Sequence, residues 1–139
     1  MNKDVIWSKI ELMKRFVGRI EKKTPESVED LINDDEAQDI ILINLERSVQ
    51  KCVEIAAYIL ADRDTPPPMS MVESFPILHI DGIISKEVSE KMQKSVGYRK
   101  IAQLDYESIN WHVVYSIITC NINDFRLYSS EIMTWLDKG

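Results

Sequence analysis

The chain has 139 residues, enough to close one hydrophobic core, and 45% apolar with 29% charged residues is the balance of an ordinary globular protein. No apolar run reaches the roughly 18 residues needed to cross a bilayer, which excludes a helical membrane span, and 4 Gly with 5 Pro leave little material for an all-β fold. The formal charge is −6, unevenly placed: Glu26 to Asp39 hold seven acids and no Lys or Arg, residues 1–23 hold seven bases against three acids, and residues 86–100 hold five bases against two. Such runs are ordinarily solvated helix faces, although a local basic face can still attract phosphate over about 10 Å at moderate salt.

Four main helices account for most of the pattern. Ile6, Ile10, Met13, Val17 and Ile20 recur at spacings of three and four and predict a one-faced helix from about Asp4 to Lys23, stopped at Thr24-Pro25. An acidic connection follows, with Asp34 or Asp35 as the N-cap of a second helix and Glu36 and Asp39 near its N-terminal dipole. The core face of this helix reads Ile41, Leu45, Ser48, Cys52, Ala56 and Ile59, and it should run to about Ala61. Asp62 to Pro68 breaks the pattern, since three successive prolines cannot enter a helix interior.

Met69 to His79 reads as a short extra helical segment ending at the turn Asp81-Gly82. Ser85 can cap a third long helix that buries Val88, Met92 and Val96. A last helix should start near Ser108 or Asn110 and carry Val113 or Val114, Ile117, Ile118, Ile122, Phe125, Ile132 and Trp135 or Leu136. The reading is an all-α, up-and-down bundle in a single domain over residues 1–139. Cys52 and Cys120, without metal-ligand spacing, read as free buried thiols. The N-terminus lacks the apolar core of a signal peptide, and a cytoplasmic location is the expectation.

At the end of the third long helix and in the turn beyond it stands Arg99-Lys100-Ile101-Ala102-Gln103-Leu104-Asp105-Tyr106, preceded by Val96-Gly97-Tyr98 and followed by Ile109-Asn110. Arg99 and Tyr106 sit in the frame Arg-x4-His-x-Tyr, with Leu104 at the His place and Lys100 where Asn is usual. Ala37-Gln38-Asp39, Asn44-Leu45-Glu46-Arg47, Cys52-Val53-Glu54-Ile55-Ala56, Glu73-Ser74-Phe75, Gly82-Ile83-Ile84 and Asn123-Asp124-Phe125 add to the pattern in order. In these pieces the chain resembles the HepT-like toxins of the HEPN superfamily of small helical ribonucleases. The resemblance implies a homodimer whose paired signature helices line one RNA-binding cleft. It implies a metal-independent, cofactor-free cut in which His assists the 2′-hydroxyl attack and Arg steadies the phosphate. It also implies an MntA-type nucleotidyltransferase antitoxin that adenylylates the signature tyrosine. Carried onto this chain, Arg99 is the catalytic and RNA-binding position and Tyr106 the modification target; Lys100, at the Asn place, reads from its own charge as an added RNA contact.

Leu104 departs from that chemistry, because a leucine has no titratable or hydrogen-bonding group with which to move a proton. The residues themselves leave two readings at each position. Arg99 can hold a phosphate bidentately or bond the last carbonyls of its helix. Tyr106 can stand exposed in a turn or pack with its hydroxyl bonded, and Lys100 can bind phosphate or be merely solvated. His79 and His112 are the two histidines of the chain; the first reads as structural and the second as a packed or half-exposed ring in the next helix. Asp35, Glu36 and Asp39 are explained by the helix dipole rather than by a metal. Three functions stay open: an RNA- or partner-binding protein with weak or absent nuclease activity, a working ribonuclease toxin neutralised by its partner, and a substrate-presenting subunit of a nucleotidyltransferase.

Overall fold

The computed structural model describes residues 1–64 and 66–139, and the described residues form helices without strands. Helix α1 spans Lys3–Lys23, α2 Val28–Ile32, α3 Asp35–Ala61, α4 Ser74–Ile80, α5 Lys86–Val96, α6 Tyr98–Ala102, α7 Trp111–Ser116 and α8 Asn123–Lys138. A 3-10 turn at Tyr106–Ser108 precedes α7, and a π-turn at Ile117–Asn121 joins α7 to α8.

Helix α3 is the axis of the bundle. Helix α1 lies along it, and α2, α4, α5, α6 and α8 also touch it. Its sequence explains that position, because buried side chains such as Ile41, Leu42, Leu45, Val49, Cys52, Ile55 and Ile59 cover more than one stripe. The apolar positions of α1, Ile6, Ile10, Met13, Val17 and Ile20, are all fully buried, as their spacing predicts. Caps act at the expected places: Asp34 accepts from the Ala37 N–H at 3.0 Å, and Ser85 accepts from the Val88 N–H at 3.2 Å. Gly82, at φ 77°, closes the turn after α4.

The expectations for the acidic connection, the Met69 segment, the last helix and Cys120 change. The acidic connection contains α2, whose start Ser27 caps through the Asp30 N–H and whose last carbonyls accept from Gln38 Nε2 at 2.9 and 3.1 Å. The segment expected from Met69 becomes helical only at Ser74. Of the break expected over residues 62–68, residue 65 lies outside the described residues; residues 66–68 are neither helix nor strand. The last long helix is interrupted by the π-turn, and Cys120 on that turn is exposed, whereas Cys52 is buried. Val114, Ile117, Ile118 and Ile122 are buried within this one chain, so that run leaves little apolar surplus for a second copy.

Candidate functional site

Two buried side chains pin the signature segment. Tyr98 opens α6 with 6% of its surface exposed, and Ile109 closes the loop with 6%. Between them Ile101 and Ala102 rest against the core, while Gln103 to Ser108 are exposed. The local sequence accounts for the shape. The α6 helix ends at Gln103, Asp105 is extended at ψ 141°, and Asn110 restarts the chain by capping α7 through the His112 N–H at 3.0 Å.

The segment lies on the outer face of α3. Tyr106 donates its phenol proton to the Asp39 carboxylate, and its ring stands edge-on to Trp111, centroids 5.6 Å apart at 77°. The hydrogen bond to Asp39, with some burial and the charge of Asp35 behind it, pushes the phenol up to about 12. Tyr106 remains 43% exposed, so its hydroxyl is held without being shut in.

Along the same face of α3, at steps of four and three from Asp39, come Ile43, Glu46 and Gln50. These residues, with Arg47, Lys51, Phe16 of α1 and Arg99 of α6, line a groove of about 480 Å³. Ile43, about 6 Å from Asp39 along the helix at 1.5 Å per residue and on the same face, lines the groove, so the groove and the Tyr106 seat adjoin on one stripe. Arg99 donates to the Met71 sulfur at 3.0 Å, and its buried Nε has no hydrogen-bond partner. Among the described residues, no carboxylate lies within ion-pair distance of Arg19, Arg47, Arg99 or Lys100. Arg19 and Arg47 each stand 5.7 Å from the Phe16 ring centroid, and Lys51 is held by Glu54 at 3.1 Å. The groove thus offers guanidinium groups with unused donors, which suits a phosphate.

Leu104 is 46% exposed in the loop between Arg99 and Tyr106 and brings no polar atom to the site. Lys100 is exposed without an ion pair among the described residues. His112 is exposed on α7 and forms no side-chain hydrogen bond among the described residues, whereas the His79 ring contacts the Ile84 carbonyl at 3.1 Å. Among the described residues no group of three His, Cys, Asp or Glu side chains gathers to hold a metal, and no helix is long and apolar enough to cross a membrane. Sequence reasoning missed Asp39 as the partner of Tyr106 and missed Phe16, Arg47 and Met71 as neighbours of Arg99. The available signal was the spacing: Asp39, Ile43, Glu46 and Gln50 recur at steps of four and three, off the core face of Ile41, Leu45, Ser48 and Cys52.

A family model described as ribonuclease HepT-like matches residues 13–132. The chain belongs to the HepT-like ribonuclease family. It is 30% identical over 129 residues to the mRNA nuclease HepT of Shewanella oneidensis, covering 93% of this chain and 96% of that protein. It is 24% identical over 132 residues to the tRNA nuclease HepT of Aphanizomenon flos-aquae, covering 95% and 90%. The fold superposes with a TM-score of 0.86 on a solved structure of the tri-AMPylated Shewanella oneidensis HEPN toxin in complex with MNT antitoxin. The identity there is 30%, and the match covers 96% of this chain and 99% of that one. This HepT-like chain therefore shares the family's helical fold along nearly its whole length.

Proposed function

We propose that this HepT-like chain, a single domain over residues 1–139, is the toxin-derived member of a toxin–antitoxin pair. In this reading its partner is an MntA-type nucleotidyltransferase that adenylylates Tyr106. Arg99 and Lys100 contact RNA phosphates, and with Leu104 at the motif His position RNA cleavage is weak or absent. Function then rests on RNA and partner binding. The observation that carries this reading is the stripe itself: a half-exposed phenol and an uncompensated arginine share one face of α3, and the side chain between them cannot move a proton. The alternatives, an active toxin or a substrate-presenting subunit, use the same residues.

RNA cleavage by purified wild type, Leu104→His and Leu104→His with Lys100→Asn tests the proposal. Restoring the motif should raise the rate by roughly 10²–10⁴-fold, the usual contribution of a general acid or base. Wild type that cleaves as fast as the double variant, and keeps its rate in Arg99→Ala, would overturn the assignment of the site. Two copies pairing across this face complete the proposal, supported by the exposed apolar Ile43 on the stripe and Leu104 in the loop. Light scattering on the eluting protein should give twice the chain mass, and a monomer at micromolar concentration would remove the shared cleft.

A further inference from the structure

We infer that Asp39 is the proton acceptor for nucleotide transfer to Tyr106, so that the chain supplies the general base for its own modification. The inference rests on the reading of Tyr106 as the nucleotide acceptor.

A neutral phenol is a poor nucleophile, and one pushed up to about 12 carries almost no phenolate at neutral pH. The proton must therefore leave during the attack rather than before it, and a positioned carboxylate is the group that can take it. Asp39 already accepts the hydrogen bond from Tyr106, and among the described residues it is the one side chain that does so. Its carboxylate has no other hydrogen bond or ion pair among the described residues, and it is exposed, so it can release a proton to water after each transfer. Trp111, half-buried against the core, fixes the ring edge-on while Asp39 fixes the hydroxyl, a two-point hold that leaves the outer side of the phenol open to an incoming nucleotide.

The Tyr106 oxygen forms a bond to the α-phosphorus of a nucleoside triphosphate held by the partner. The bond from that phosphorus to the bridging oxygen breaks, pyrophosphate leaves, and the phenolic proton passes to the Asp39 carboxylate. Asp35 lies close enough to act on the phenol through its charge but makes no bond to it.

Transfer from α-labelled ATP by the purified cognate nucleotidyltransferase, measured on the intact chain, tests this inference. Asp39→Asn keeps size and an acceptor oxygen but loses basicity, and should lower the maximal rate by about 10²–10⁴-fold with the KM for ATP unchanged. Asp39→Glu should retain most of the rate, and Asp35→Asn should stay within a few-fold of wild type. A fluorinated tyrosine at position 106, whose phenol ionises more readily, should recover part of the loss in Asp39→Asn; a purely structural role would give no such recovery. Thermal melting confirms that each variant is folded, and Asp39→Glu with the fluorinated tyrosine carries the test if Asp39→Asn is not. An Asp39→Asn rate within a few-fold of wild type, with no adduct in Tyr106→Phe, would overturn the role of Asp39 and leave Tyr106 as the acceptor. Adduct persisting in Tyr106→Phe would instead overturn the reading of Tyr106 itself.

Discussion

Tyr128 and Tyr106 make nearly the same contact in opposite settings. Each ring meets an aromatic neighbour edge-on, Tyr128 against Phe75 at 5.7 Å and 81°, Tyr106 against Trp111 at 5.6 Å and 77°. Each hydroxyl has one acceptor from α3. Tyr128, fully buried, donates to the Cys52 carbonyl at 3.0 Å, whereas Tyr106, 43% exposed, donates to the Asp39 carboxylate. The first arrangement ties α8 and α4 to the axis of the bundle and has no contact with solvent. The second uses the same packing to aim a reactive group outward. Aromatic edge packing is thus neutral as to role, and the acceptor and the exposure separate a core tyrosine from one available for chemistry.

The largest expected difference between the two regions is in stability. Phe75→Ala should cost about 3–5 kcal/mol, because a fully buried ring leaves a cavity that a bundle cannot fully close. Trp111→Ala, at a half-buried edge, should cost clearly less in the same urea titrations, because solvent can fill the space it vacates. Equal losses would mean that the Tyr106 seat is part of the core.

Removing only the hydroxyls gives a finer comparison. Tyr128→Phe leaves a buried site short of one hydrogen bond and should cost about 1 kcal/mol. Tyr106→Phe should stay within about 0.5 kcal/mol, as surface substitutions usually do. Chemical denaturation of the two variants side by side would show whether the Asp39 contact holds the fold together or only holds the phenol.

The smallest effect is a matter of titration. The Asp39 bond raises the Tyr106 phenol to about 12, so the protonated form is favoured by folding. That contribution is complete below the ordinary tyrosine value near pH 10 and is lost as pH rises through about 12. In Asp39→Asn the phenol should titrate closer to its ordinary value. Near-ultraviolet absorbance, with Tyr106→Phe subtracted to isolate this one group, would follow the change. Tyr128, raised by burial, should be unaffected. An unchanged Tyr106 titration in Asp39→Asn would mean that burial, not the carboxylate, sets its behaviour.

Much of this molecule follows from local rules acting on neighbouring residues. The 3.6-residue periodicity placed α1, α3 and α5, short polar side chains at Asp34, Ser85 and Asn110 set where helices begin, and the frame around Arg99 and Tyr106 marked the signature loop. These signals are legible because each acts within about one helical turn, where periodicity and capping operate. The contacts that make the loop a site are not local. Tyr106 finds Asp39 across 67 positions and Arg99 finds Met71 across 28. Asp39 read as a dipole acid because a carboxylate in the first turns of a helix needs no other explanation, and nothing in the local spacing of Phe16 or Arg47 marks them as neighbours of the loop. Which exposed residues of α1 and α3 meet the signature loop depends on how α6 crosses the bundle axis. That crossing is set by the combined packing of Tyr98, Ile101 and Ile109 into the core, a property of the closed bundle that no stretch of the chain carries alone.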